Sequence, residues 1–249
     1  MNFFDAHNHL QDFAPGAELA AALAAAQAAG VKAMLCCATR PGDWARVLEI
    51  SKAQKGIVPC FGVHPWFCAD AAGDWQEKLA GFLVAAPACV GEIGLDALRG
   101  GAGQEEIFRA QLLLAKKLCR QAVIHCVKSW DRLKGVLKET RPGAFLLHAY
   151  GGPAELAGEL AELGAYFSFG GEIADPAREK LRRALKAAPR GRLLFESEAP
   201  AAAGRRAGPA GVAEAVKSAA ALLGAAPEEL AELSYNNGLG FLGGQLRNL

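Results

Sequence analysis

The sequence predicts one (β/α)8 TIM barrel of the α/β class over residues 1–249, with a metal site at the C-terminal ends of its strands. Eight short β-branched or aromatic runs alternate with longer Ala- and Leu-rich segments of helical spacing. The chain length of 249 residues suits such a barrel as one unit. No G-x-G-x-x-G turn follows the first run, as an open doubly wound sheet would more often carry.

In chain order the strands are expected at 3–9, 33–39, 57–65, 89–95, 122–127, 144–150, 165–170 and 192–198. Between them, 104–120, 129–139, 153–164 and 176–188 carry apolar stripes at three- and four-residue intervals and read as amphipathic helices. The tracts 17–29 and 210–226 are rich in Ala, the best helix former. Leu19, Leu23, Val212, Val216, Leu222 and Leu223 give them a burying side, so they read as helices rather than linkers. Residues 199–209 read as a loop after the eighth strand, overhanging one mouth of the barrel.

Hydrophobic residues make up 52% of the chain, enough for a substantial core. A formal net charge of +1 gives no global attraction to nucleic acid or anionic membrane, so a charged partner must be recognised locally. The start MNFFDAHNHL has no basic leader pattern, and no apolar run reaches the roughly 18 residues that span a bilayer, so a soluble, cytoplasmic protein without membrane contact is expected. Seven scattered cysteines lack paired C-x-x-C spacing and read as reduced packing residues. Cys126 neighbours His125, but adjacent strand residues point to opposite faces.

His7 and His9 stand two apart in a strand, where side chains share a face, so they can grip one ion together. Taken alone, the pair fits a hydrogen-bonded core pair equally well. His64, Glu92, His125, His148, Glu196 and Glu198 also fall at predicted strand ends, the end of a barrel where reactive groups gather. Four histidines and two carboxylates suit two divalent ions, with Zn, Mn, Co and Mg as candidates and imidazole favouring the transition metals. Two ions with two glutamates leave a formal charge of about +2, which favours an anionic substrate such as a phosphodiester.

At these residues the chain resembles the TatD family of metal-dependent hydrolases. The matching pieces are DAHNHL at 5–10, GVHP at 62–65, GEIGLD at 91–96, FRAQLLLAKKL at 108–118 and VIH at 123–125. They continue with HAYGG at 148–152, SFG at 168–170, ESEAP at 196–200 and YNNGLGF at 235–241. The resemblance implies that His7, His9, Glu92 and Glu198 hold one ion and Glu92, His125 and His148 a second, with His64 contacting substrate phosphate. It also implies a deoxyribonuclease of 3′-5′ exonuclease type, or a related phosphodiesterase, acting on DNA or another nucleic acid. In that reading a hydroxide held between the ions attacks phosphorus and Glu198 accepts its proton.

Three positions depart from the family pattern. Glu198 stands where Asp is usual, Val127 followed by Lys128 where Arg is usual, and Gly151 where Ser is usual. Lys128 can meet a phosphate as a point charge, and Trp66 can stack on a base. Arg205 and Arg206 read as solvated charges. Two other functions remain open: hydrolysis of an amide or ester, as in D-aminoacyl-tRNA deacylation, and a catalytically weakened barrel that serves as a binding protein.

Overall fold

Eight parallel strands close on themselves in sequence order: β1 (Phe3–Asn8), β2 (Val31–Cys37), β3 (Ile57–Phe61), β4 (Cys89–Asp96), β5 (Ala122–Val127), β6 (Phe145–Leu147), β7 (Ala165–Phe169) and β8 (Leu193–Phe195). Asp5 of β1 pairs with Phe195 of β8 and seals the barrel. This computed structural model describes residues 1–71, 73–202 and 205–243, with 201, 202, 205 and 206 described by backbone alone. The helices are α1 (Ala17–Ala29), α2 (Trp44–Ala53), α3 (Trp75–Ala85), α4 (Gln104–Lys117), α5 (Trp130–Thr140), α6 (Ala157–Glu162), α7 (Glu179–Ala187), α8 (Val212–Leu223) and α9 (Pro227–Leu242). Among the described residues, no helix is long and apolar enough to cross a membrane.

Successive strand residues enter two different buried layers, as the period of two demands. Phe145 and Leu147 of β6 pack outward with the helices, while Leu146 joins Val123, Tyr166 and Leu194 in the layer inside the barrel. Two residues further along the same face come His125, His148, Ser168 and Glu196. The polar site is thus the next layer of the inward stack. Cys126 falls on the opposite face and packs against the outer core, as its adjacency to His125 required.

The other end is filled by α9, which the sequence patterning did not reveal. Phe241 and Leu242 join the inner layer, and Asn237 Nδ2 donates to the carbonyls of Arg190 and Leu193 at 2.8 and 2.9 Å. Gly238 lets the helix lie directly on Phe4, since a Cβ there would sit 2.4 Å from the Phe4 ring. That contact gives YNNGLGF its physical meaning.

Several predicted bounds shift. The segment 199–209 is not wholly loop, because Ala201–Ala202 and Arg205–Arg206 pair as a two-stranded antiparallel ribbon, labelled β9 and β10. The side chains of Arg205 and Arg206 lie outside the described residues. Helix 153–164 contracts to α6 preceded by a 3-10 turn at Ala154–Leu156. β3 ends at Phe61, three residues before His64, because the chain already bends toward the 3-10 turn at Pro65–Asp70.

Gly238→Ala is expected to lower stability by about 1–3 kcal/mol, the usual cost of overpacking a filled core. Urea unfolding measures it, and an unchanged midpoint would contradict the α9 contact.

Candidate metal centre

All five histidines of the chain meet one carboxylate, that of Glu92, which is 3% exposed. Glu92 Oε2 lies 3.2 Å from His7 Nε2 and 3.5 Å from His9 Nε2. Glu92 Oε1 lies 2.8 Å from His148 Nε2, 3.1 Å from His125 Nδ1 and 3.2 Å from His64 Nε2. Oε2 therefore faces the pair His7 and His9, and Oε1 faces the pair His125 and His148 together with His64.

Local irregularities make this convergence possible. The β1–β2 pairing shifts register between Asp5 and Asn8, and the β4–β5 pairing between Val90 and Ile93, so strict alternation fails beside His7 and Glu92. Gly94 has φ +147°, and a Cβ there would lie 1.9 Å from the His125 carbonyl oxygen. Only glycine lets β4 lie this close to β5 at His125.

The far nitrogen of each ring reports which atom is left to bind a cation. His9 Nδ1 donates to the Cys37 carbonyl at 2.7 Å, which leaves its Nε2 lone pair toward Glu92. His125 Nε2 lies 3.4 Å from Asp96 Oδ2, which leaves Nδ1 inward. His148 Nδ1 donates to Glu198 Oε1 at 2.9 Å, which leaves Nε2 inward. His64 differs: its Nδ1 accepts the Trp66 backbone N–H at 3.2 Å, so its proton sits on Nε2 and donates toward Glu92. This tautomer is a hydrogen-bond donor at the site rather than a ligand.

The spacing fits cations. Ligand bonds of about 2.1 Å give neighbouring donors about 3.0 Å apart in an octahedron and about 3.4 Å apart in a tetrahedron. His7 Nε2 and His9 Nε2 are 3.1 Å apart, and His125 Nδ1 and His148 Nε2 are 3.2 Å apart. The sets His7–His9–Glu198 and His7–Glu92–His148 are each compact enough to hold an ion, as is His148–Glu196–Glu198.

Glu198 Oε1 lies 3.8 Å from His7 Nε2, so the longer side chain reaches His148 more closely than the His7–His9 pair with which the resemblance grouped it. Its loop is fixed to β1. Asp5 accepts from the Ser197 N–H at 2.8 Å and the Ser197 hydroxyl at 2.7 Å, and Glu198 N donates to the His7 carbonyl at 3.2 Å. Glu198 itself has φ 55°, a left-handed conformation that an L side chain adopts only when its surroundings impose it.

The electrostatics follow from this crowding. Burial opposes the Glu92 anion, yet His148, His64, His7 and His125 hold its carboxyl well below the usual range. Burial likewise opposes the Glu198 anion, but His7 and His148 bring its pKa down to about 2. Burial, together with His148, lowers His7 to about 4. Burial would lower His148 too, but Glu92 and Glu198 outweigh it and raise the imidazole well above its ordinary value. Glu196, fully buried and beside Glu198, is pushed well above the carboxylate range.

Of the predicted substrate contacts, His64 is in the cluster. Trp66 stands on its rim, 39% exposed, with Nε1 donating to Asp96 Oδ2 at 2.6 Å and the Arg99 guanidinium 3.8 Å over its ring. Lys128 is exposed and lines a groove of about 450 Å³ with Trp130, Gly151 and Lys180. No hydrogen bond or ion pair joins it to the Glu92 cluster among the described residues. Sequence reasoning missed Asp96, although it closes the GEIGLD motif, and the Cys37 carbonyl, which no side-chain pattern can announce.

Comparison with known proteins adds an independent line. The sequence profile of the family described as TatD related DNase matches residues 4–243. The uncharacterized metal-dependent hydrolase YjjV of Escherichia coli (strain K12) is 33% identical over 208 residues, covering 80% of this chain and 79% of that protein. The 3'-5' ssDNA/RNA exonuclease TatD of Klebsiella pneumoniae (strain 342) is 34% identical over 190 residues, covering 72% of this chain and 70% of that protein. The crystal structure of YjjV superposes with a TM-score of 0.87 at 28% identity, across 96% of this chain and 97% of that one.

An ion that uses His148 Nε2 requires a neutral imidazole, while the raised pKa keeps this ring charged near pH 7. Binding is therefore expected to release about one proton per chain, and affinity to rise with pH up to the raised His148 pKa. Calorimetry with Zn or Mn in buffers of different ionisation enthalpy measures this; heats independent of buffer would contradict it.

Proposed function

The chain belongs to the TatD family of metal-dependent hydrolases, and from that membership we propose that it is a phosphodiesterase acting on nucleic acid, a deoxyribonuclease of 3′-5′ exonuclease type. The observation that carries this reading is the division of Glu92 between two histidine pairs, one on each oxygen. The Klebsiella pneumoniae relative, named a 3'-5' ssDNA/RNA exonuclease, supports the substrate class.

In this reading His7, His9 and Glu198 would hold one divalent ion and His125 and His148 the other, with Glu92 serving both. When bound, such ions acidify a water and neutralise charge on phosphoryl oxygens. The side chains supply the rest. Glu198, kept an anion by His7 and His148, takes the proton of the attacking water on a carboxylate oxygen. His64 Nε2–H, fixed as a donor by the Trp66 amide and directed at Glu92 Oε1 at 3.2 Å, would pass to a non-bridging phosphate oxygen, where negative charge grows, when that carboxylate oxygen is taken up by an ion. Asp96 braces His125 and Trp66 together through one oxygen.

Beyond the scissile phosphate, Lys128 in its groove offers a point charge to the next phosphate of the strand. Trp66 carries Arg99 on its ring, so this part of the rim offers a strand a cation braced by an aromatic surface.

Metal-loaded protein is expected to hydrolyse single-stranded DNA and a chromogenic phosphodiester. Glu92→Gln and Glu198→Ala should each lose at least about 100-fold in kcat, and His64→Ala about 100- to 1000-fold, the scale for a lost transition-state donor. Equal activity in wild type, Glu92→Gln and Glu198→Ala would overturn the assignment. Cleavage of aminoacyl esters but not phosphodiesters would move it to the deacylase function. Full metal loading with no hydrolysis of either would leave a binding barrel.

A further inference from the structure

We infer that Glu196 is a positioning residue that accepts the Nδ1–H of His148 when Glu198 engages an ion, and so sets the affinity of the His125–His148 half of the centre. The inference rests on the two-ion reading above.

Glu196 is fully buried, two residues beyond Leu194 on the inward face of the β8 segment. Its Oε2 accepts the Ser168 hydroxyl, which holds the carboxyl in place. Its Oε1 is buried without any hydrogen-bond partner. A buried acceptor left unpaired costs free energy and calls for a reason. That oxygen lies 3.9 Å from His148 Nδ1, just beyond hydrogen-bond reach.

His148 is the histidine whose present partner has a second task. His9 is braced by the Cys37 carbonyl and His125 by Asp96, and neither brace belongs to the proposed ligand set. His148 Nδ1 is braced at 2.9 Å by Glu198 Oε1, the same oxygen that lies 3.8 Å from His7 Nε2. A carboxylate oxygen shared with a cation is a weaker acceptor. A swing of about 1 Å then brings the His148 N–H from Glu198 to the waiting Glu196 Oε1, a carboxyl oxygen that accepts whether or not the acid proton sits on Oε2, and keeps Nε2 free as ligand. Glu196 and Glu198 thus divide between them a duty that one shorter acidic residue could not share, since only the longer Glu198 reaches both His148 and the His7 side.

Stepwise Zn²⁺ or Mn²⁺ binding by calorimetry, with side-chain ¹⁵N shifts of histidine to assign each step, tests this on the full chain. Glu196→Ala should weaken the His148 step about 10- to 100-fold and leave the other step unchanged. Glu196→Gln, whose Oε1 still accepts, should restore most of that affinity. Glu198→Ala, a partly exposed position that spares the core, should weaken the His7–His9 step while His148 keeps its Nδ1–H tautomer. Loss of the His148 step in Glu198→Ala would overturn the inference, because Glu198 would then be the brace. Unchanged binding in Glu196→Ala, or no rescue by Gln, would overturn it also. Wild-type protein that takes up no ion would remove the two-ion reading and this inference together, whereas two ions in wild type and equally in Glu196→Ala would remove this inference alone.

Discussion

The structure turns on a single buried carboxylate that must not be left alone. An ionised glutamate out of water costs several kcal/mol unless charges and donors surround it. Glu92 is surrounded by nitrogens carried on four different strands or their extensions: β1, β3, β5 and β6 converge on the Glu92 of β4. No local segment can deliver that set. Barrel closure brings it together, so the same strand order that buries the inner apolar layer also assembles the polar one above it.

That dependence runs in both directions. A layer containing His7, Glu92, His148 and Glu196 replaces what would otherwise be apolar packing, and a polar layer stabilises a barrel less than a hydrophobic one unless each group is paired. The pairing is nearly complete but not fully so: His7 Nδ1 and Glu196 Oε1 are buried without partners. A buried polar atom left unpaired calls for a reason, and a site built for a ligand supplies one. Support comes from outside the cluster, where Asp5 ties the Glu198 loop to β1 and Asp96 ties His125 to Trp66.

Much of this was legible in the chain. The eight strands showed as β-branched and aromatic runs, the alanine tract 17–29 is α1 at its predicted bounds, and the histidines fell at the mouth of the barrel because strand ends are where a barrel opens. Other features were hidden for physical reasons. Helix α9 carries Asn236, Asn237, Gly238 and Gly240, all weak helix formers, and tertiary contacts explain it: Gly238 on Phe4, Phe241 and Leu242 in the inner layer, and Asn237 on the Arg190 and Leu193 carbonyls. The register shifts that turn His7 and Glu92 toward each other leave no mark in a period of two. The distinct tautomer of His64 depends on a backbone N–H, and the brace on His9 on a backbone carbonyl; neither has a side-chain signature. Glu198 was visible as a departure, but not its reach to His148.

The central claim is that Glu92 divides two cation sites, one on each oxygen. Anomalous diffraction from crystals loaded with Mn²⁺ or Zn²⁺ tests it most directly. Two peaks are expected, one among His7, His9 and Glu92 Oε2 and the other among His125, His148 and Glu92 Oε1. A single peak on one side of Glu92, or peaks only elsewhere, would contradict the account.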